Sequence, residues 1–186
     1  FGRVLEIYGD YRQQTEDFIF GYYTNTYDLE RAKFVEVDNP ASPGETMFVV
    51  ETKLDKLEAA EKLRGYFGGA KINILNVVTG IAEYQDMRWG EEDKEDKSLR
   101  GELQLNKTLI PMLSKAKAYY VQNNVGKLRW KTESTVMGAV AGLGISEGLS
   151  IDFNYTITYE DKNGDGRIKG SDEQITNVSI STNAIF

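Results

Sequence analysis

The sequence predicts a mainly β chain built from long antiparallel strands, and three observations carry that reading. Residues Leu149 to Glu160 alternate without a break. Leu149, Ile151, Phe153, Tyr155, Ile157 and Tyr159 fall on one face, and Ser150, Asp152, Asn154, Thr156, Thr158 and Glu160 fall on the other. Successive strand side chains point to opposite faces, so the segment has one apolar and one polar surface. It is longer than the roughly 5–6 residues of most soluble strands and matches the roughly 9–11 of a tilted bilayer-spanning strand. Second, the chain contains no run of about 18 apolar residues, so no helix is expected to cross a membrane, whereas half-apolar strands escape a hydropathy scan. Third, the alternation recurs along the chain. Together these predict an antiparallel up-and-down β-barrel of about eight strands, or the end of a larger barrel, in a single β domain over residues 1–186. The alternative is a soluble β-sandwich, which alternates in the same way.

Taken in order, "RVLEIYGDYR" and "GETMFVVET" are weaker strand candidates, and Tyr22, Tyr23 and Tyr27 form an aromatic stretch assigned to no element. "TKLDKLEAAEKLRGYFGG" breaks the pattern. Leu54, Leu57, Ala60 and Leu63 recur at helical spacing, with Thr52 and Asp55 at the start and Gly68 and Gly69 at the end. This predicts one amphipathic helix near 53–66, as a plug, cap or excursion between barrel strands, or as a helix packed on a soluble sheet. In "KINILNVVTGIAEYQDM", Ile72, Ile74, Val78, Ala82 and Tyr84 keep one side. In "SLRGELQLNKT", Leu99, Gly101, Leu103 and Leu105 alternate with Arg100, Glu102, Gln104 and Asn106. "STVMGAVAGLGIS" places Met137, Ala139, Ala141, Leu143 and Ile145 opposite Val136, Gly138, Val140, Gly142 and Gly144. The small residues there predict close approach of another backbone or a crowded interior. The last strand sets Val178, Ile180, Thr182, Ala184 and Phe186 on one face.

The connections are ordered. "RWGEEDKEDKS" and "EDKNGDGRIKGSDE" are long charged loops expected at one end, while the Pro111 turn and "ISEGLS" lie at the other. Barrels of this kind have short turns on one side and longer loops on the other. "QNNVGK" would be an unusually short member of the long-loop set.

Composition removes several chemistries. The chain has no Cys and no His, which excludes thiolate nucleophiles, Ser-His-Asp triads and ordinary zinc or haem sites. A net charge of -7 without a basic stripe argues against nucleic acid. "GAVAGLG" lacks the Lys-Ser/Thr of a phosphate loop. The acids of "GEEDKEDK" are interleaved with Lys94 and Lys97, so a solvated loop is the expected reading rather than acid–base chemistry. No catalysis is therefore expected. The chain begins with Phe1 rather than Met, as a processed form or a fragment would.

One loop carries a metal-ligand spacing. In "DKNGDGRIKGSD", Asp161, Asn163 and Asp165 stand at positions one, three and five of a calcium loop. Gly166 is at six, Arg167 offers its carbonyl at seven, and Asp172 stands at twelve. A hard cation takes six to eight oxygens, and alternate short acids can wrap around it. Position twelve is Asp rather than the longer Glu, although Glu173 lies next door, and the flanks are strands. The expectation is a calcium-clamped hairpin. Asn-Gly and Asp-Gly turn chemistry would also make a solvated loop.

The alternating final hairpin, the Tyr-rich strand and the terminal Phe186 resemble the carboxyl end of bacterial outer-membrane β-barrel proteins, porins included. In that family the last strand ends on an aromatic residue, with apolar residues at alternate positions before it. Val178, Ile180, Ala184 and Phe186 match, and Thr182 departs. The resemblance implies an outer-membrane barrel that acts as a passive pore or structural membrane protein, here with a calcium-stabilised outer loop. Its partners would be the lipid bilayer or neighbouring copies of itself in a homo-oligomer. The alternative is a secreted structural or adhesive β protein that assembles at the cell surface into a lattice or fibre through strand pairing.

Overall fold

The computed structural model describes residues 4–16, 18–20, 31–42, 44–58, 62–89, 94–106, 110–146 and 148–184. The Tyr22, Tyr23 and Tyr27 stretch and Phe186 lie outside the described residues. The elements in chain order are β1 (Leu5–Gln14), β2 (Ala32–Asp38), β3 (Thr46–Thr52), α1 (Lys53–Glu58), β4 (Leu63–Ile74) and β5 (Val78–Trp89). They continue with β6 (Lys94–Leu105), β7 (Leu113–Val125), β8 (Thr135–Ser146), β9 (Leu149–Tyr159) and β10 (Gln174–Ala184). The chain divides into two compact units, residues 13–64 and residues 1–12 with 65–186.

The smaller unit contains the β2–β3 hairpin, in which Phe34 faces Val50 and Glu36 faces Phe48. Thr52 and Asp55 form a capping box at the start of α1: the Thr52 N–H donates to Asp55 Oδ2 at 2.6 Å and the Asp55 N–H to Thr52 Oγ1 at 3.2 Å. The two residues satisfy each other's otherwise orphan donors. The backbone and side-chain bonds from Thr52 hold the Asp55 carboxyl below its ordinary value of 3.8. Its support of the helix is therefore complete above that value and is lost as pH falls through the lower folded one. The helix is shorter than the apolar spacing over 53–66 predicts. Its described part runs to Glu58, and Leu63–Ile74 is strand instead. Gly65, Tyr66 and Phe67 are poor helix formers, and the hairpin with β5 gives this stretch a ladder that helical spacing at Leu63 cannot match.

The larger unit carries one eight-stranded sheet, in the order β1-β4-β5-β6-β7-β8-β9-β10. From β4 onward, chain neighbours are sheet neighbours, the up-and-down arrangement that the sequence predicts. The sheet is mainly antiparallel β but is not closed into a barrel: β1 and β10 are its two edges. An open sheet of this kind suits either a stretch of barrel wall or one layer of a sandwich. A tight β4–β5 hairpin, closed by the Val77 N–H on the Ile74 carbonyl at 2.8 Å, holds Leu75 and Asn76 at φ 51° and 58°. Both central residues at positive φ is the twist that hairpin strands require.

Connections differ at the two ends of the sheet. Residues 75–77, 106–112 and 147–148 join strands at one end, and 90–93, 126–134 and 160–173 at the other. The two longest connections, 126–134 and 160–173, thus share one end, as expected, but 90–93 at that end is shorter than 106–112 at the other. The "QNNVGK" turn is longer than its sequence suggests, because β7 runs on to Val125 and the connection extends to Ser134. The "GEEDKEDK" loop is also shortened, since β6 begins at Lys94 and pairs Glu95 with Arg88.

Register separates the faces cleanly. Gly80 pairs with Leu103, Ala82 with Gly101 and Tyr84 with Leu99 on one side, while Ile81 pairs with Glu102 and Glu83 with Arg100 on the other. The division propagates through Leu103–Ala118, Ala118–Ala139, Ala139–Tyr155 and Tyr155–Val178. The apolar face is open to solvent: Leu103 is 59 % exposed, Phe153 44 % and Ile180 66 %. Its small residues, Ala70, Gly80, Ala82, Gly101 and Ala118, leave an apolar groove of about 550 Å³. The buried side chains include Gln85, Glu102, Gln122 and Asp152. Met87, Val121, Val136 and Tyr159 are buried too, so the covered residues are mixed in type. The burial of Glu102 and Asp152 is the unusual part, since charged residues are almost never fully buried unless paired.

Glycines on the polar face act as gaps. A Cβ on Gly138 would lie 2.5 Å from the Tyr119 ring and 2.7 Å from the Tyr155 carbonyl, whereas nothing lies within 4 Å of Gly101 on the other face. The crowding that the glycines of β8 predict is therefore present. Gly138→Val should destabilise the fold by about 1–3 kcal/mol, the usual cost of overpacking. Gly101→Ala should be neutral or raise stability by about 0.5–1 kcal/mol through lower chain entropy. Thermal melts of the two variants check the contrast, and equal losses would refute this account of the glycine gaps.

Candidate functional sites: the polar sheet face and the acidic loop

On the polar face, period-two alternation sets long polar side chains on β1, β5, β6 and β7, and they join into a chain of hydrogen bonds that crosses β4 at a glycine. Tyr8 of β1 donates its hydroxyl to Glu83 of β5 at 2.6 Å, passing over Gly69 of β4, where a Cβ would meet its ring at 2.6 Å. Glu83 Oε2 accepts from Arg100 Nη1 at 3.1 Å. Arg100 Nη2 donates to Glu102 Oε2 at 3.0 Å, and Lys117 Nζ reaches the same oxygen at 3.0 Å. Gln104 donates to the other oxygen of Glu102. Beside this chain, Arg12 donates Nη1 to Gln85 at 2.5 Å and lies 3.7 Å from the centroid of the Phe67 ring.

The far half of the face repeats the device. Tyr119 of β7 crosses Gly138 of β8 and shares a 3.3 Å hydrogen bond with Thr156 of β9. Lys115 crosses Gly142 to reach Asp152 Oδ2 at 3.4 Å, and Asn183 of β10 donates to the same oxygen at 2.9 Å. Charge-assisted bonds of this kind are roughly twice as strong as neutral ones, and both signs are paired along the face. Lysine, arginine, carboxylate and amide groups in that density make a wettable face.

The acidic loop lies between β9 and β10. All five residues of the calcium spacing lie in it: Asp161, Asn163, Asp165, Arg167 and Asp172. The Gly166 N–H donates to Asp161 Oδ2 at 2.6 Å, the Asp165 N–H to Asn163 Oδ1 at 2.9 Å and the Arg167 N–H to Asp165 Oδ1 at 2.8 Å. Gly164 and Gly166, at φ 68° and 69°, supply the left-handed turns. Asp165 Oδ2 is 2.5 Å from Lys169 Nζ, and that bond foremost holds the Asp165 carboxyl below its ordinary value. Asp161 Oδ1 is buried without a partner. Asp172 is exposed, and its neighbour Glu173 is the buried anchor: it accepts from Asn163 Nδ2 at 3.0 Å, from the Lys169 N–H at 2.7 Å and from the Gly170 N–H at 3.2 Å. Among the described residues no three acidic side chains stand close enough together to share a metal ion.

The sequence spacing sets Asp172 at position twelve, and within the loop the hydrogen bonds converge on the adjacent Glu173. The Tyr8–Glu83–Arg100–Glu102–Lys117 chain was not singled out in the sequence. Its signal is a glycine on the strand beside a long polar residue, with the partner one strand further on, which one strand's pattern does not reveal. No family model matches this sequence, and neither the curated proteins nor the solved structures give a significant match.

Glu102 is the hub of the lining, since it holds Arg100, Lys117 and Gln104 together. Glu102→Ala should lower stability by about 1–3 kcal/mol, the cost of leaving covered polar partners unmade. Glu102→Gln should recover part of that loss. Denaturant titration of both variants tests this, and an unchanged midpoint for the alanine variant would remove Glu102 from that role.

Proposed function

We propose that the larger unit is wall of an outer-membrane β-barrel that passes small polar solutes without catalysis. The observation that carries this reading is the exposure of the sheet: a continuous apolar face lies open while paired charges such as Glu102 and Asp152 are covered on the other. A large apolar side chain gains about 1.5–3 kcal/mol on leaving water, and that face holds such residues on each of the eight strands of the sheet. Hydrocarbon would take up this area, and the paired charges would line the lumen. Strands of 10 to 13 residues within the sheet and long loops gathered at one end support the same reading. The free β1 and β10 edges would then close against each other or against neighbouring copies of the chain, because a barrel leaves no backbone donor unpaired in lipid.

This reading predicts that the purified chain requires detergent, that its gel mobility changes on heating, and that it raises ion conductance when added to a planar bilayer. A chain that stays soluble and monodisperse without detergent would reject it. The rival reading is a secreted protein that assembles into a lattice or fibre. It rests on the β10 edge, whose residues 174–184 carry no charge to discourage strand addition. Under that reading, deletion of residues 174–186 abolishes assembly and leaves soluble protein.

We also propose that the acidic loop holds calcium at its outer end. The oxygen donors of Asp161, Asn163, Asp165, the Arg167 carbonyl and the Asp172–Glu173 pair are of the type a hard cation takes, and the unpartnered Asp161 oxygen supports a site there. The ion would have to displace Lys169 from Asp165. Calorimetry should therefore show calcium binding that Lys169→Gln strengthens and Asp165→Ala abolishes. No heat on calcium addition to either the parent or the Lys169 variant would end this proposal.

A further inference from the structure

At the long-loop end of the sheet, the 126–134 and 160–173 connections bound a cavity of about 580 Å³. Five cations line it, Lys127, Arg129, Lys131, Arg167 and Lys169, together with Trp130. In a chain of net charge -7 this grouping runs against the overall balance. Like charges placed together cost energy, so a concentration of them marks a local field that an anion would relieve.

The cations are little neutralised. Lys169 alone of the five has a carboxylate partner among the described residues, at Asp165. Arg129 donates Nη1 to the Gly166 carbonyl, which ties the two loops together but leaves the guanidinium charge uncompensated. Lys131 sits 5.3 Å from the centroid of the Tyr159 ring. Trp130 is fixed from one side, stacked on Tyr120 at 5.2 Å and 17°, with the Tyr120 hydroxyl donating to the Trp130 carbonyl at 3.1 Å. The indole nevertheless remains 71 % exposed.

We propose that this cavity binds a phosphorylated saccharide. The phosphate would sit among Arg129, Arg167 and Lys127, and the sugar would lie against Trp130. Guanidinium forks match phosphate oxygens in pairs, and several cations suit a dianion better than a singly charged carboxylate. The volume falls within the roughly 300–1,000 Å³ of small-molecule sites and exceeds what one inorganic phosphate fills, so the phosphate is carried on a larger polar body. A held, exposed indole supplies the flat apolar surface on which such a body rests. A free sugar phosphate and the phosphosugar head of a glycolipid share this chemistry. The site stands on loop residues alone and holds whether or not the sheet faces lipid.

The test is calorimetry on the full chain in EDTA with glucose, glucose 6-phosphate and inorganic phosphate, and with vesicles containing a phosphorylated glycolipid. Glucose 6-phosphate should saturate, at least about tenfold tighter than glucose or inorganic phosphate, and weaken as salt rises. Tighter binding to the vesicles than to glucose 6-phosphate would assign the lipid source, and weaker binding the free one. Lys127→Gln with Arg167→Gln should lower affinity at least about tenfold. Lys127→Gln alone, at an exposed position, serves if the double variant does not fold. Absence of saturation by every probe up to about 10 mM, or unchanged affinity in the folded variants, would overturn the proposal.

Discussion

Side chains on the polar face reach past a neighbouring strand to bond with the next but one, and glycine makes this possible. Strands lie about 4.8 Å apart, so a side chain that spans two spacings must cross the strand between them. Tyr8 crosses at Gly69, Tyr119 at Gly138 and Lys115 at Gly142. Backbone ladders bind only adjacent strands. These crossings couple β1 to β5 and β7 to β9, so the polar face acts as a mesh rather than as a set of separate hairpins. Without those gaps the charged residues would have to point into solvent or remain covered and unpaired, and the second is the costlier state.

The mesh explains why charge can be covered here at all. A carboxylate out of water is tolerated when cations and donors surround it, and Glu102 has two cations and an amide. The same sheet buries few apolar residues, Met87, Val121, Val136 and Tyr159 among them. Leu103, Phe153, Tyr155, Val178 and Ile180 are all exposed on the apolar face. Patches larger than a few hundred Å² are rare on soluble monomers and mark surfaces that meet something apolar. An open apolar face and a glycine-gapped polar mesh are two consequences of one alternation, read on opposite sides of the backbone.

Much of this was legible in the sequence because a period of two leaves a direct trace. The faces assigned to Leu99–Asn106, Met137–Ile145 and Leu149–Glu160 recur in the register of β6, β8 and β9. The helix was over-read because Leu63 continues a helical spacing by coincidence, and only pairing with β5 reveals it as the first residue of a strand. The hairpin of β2 with β3 was half seen, since "AKFVEVD" alternates weakly by itself. In the acidic loop the spacing identified the backbone turns at Gly164 and Gly166. It did not identify Glu173 as the anchor, because reach and burial are properties of the closed loop and not of the motif. Closure of the sheet was the least legible feature, since edge pairing depends on partners that no single strand encodes.

Charge is distributed with the same economy. On the sheet, acids and bases are interleaved so that Glu83, Glu102 and Asp152 find cations on the same face, while Asp96 has only the Asn124 amide among the described residues. In the loops that rule fails in one place: Lys127, Arg129 and Arg167 gather around a cavity while the neighbouring acids are turned inward to close their own turns, Asp161 on Gly166 and Glu173 on Lys169 and Gly170. Asp161 and Glu173 are therefore engaged by backbone N–H groups, which carry only partial charge, while Asp165 pairs with Lys169. Lys127, Arg129 and Arg167 consequently have no ion-pair partner among the described residues although carboxylates are abundant nearby. Backbone closure of the loop and the positive cavity beside it thus share one cause, and any ion that loosened those carboxylate turns would alter the cavity as well.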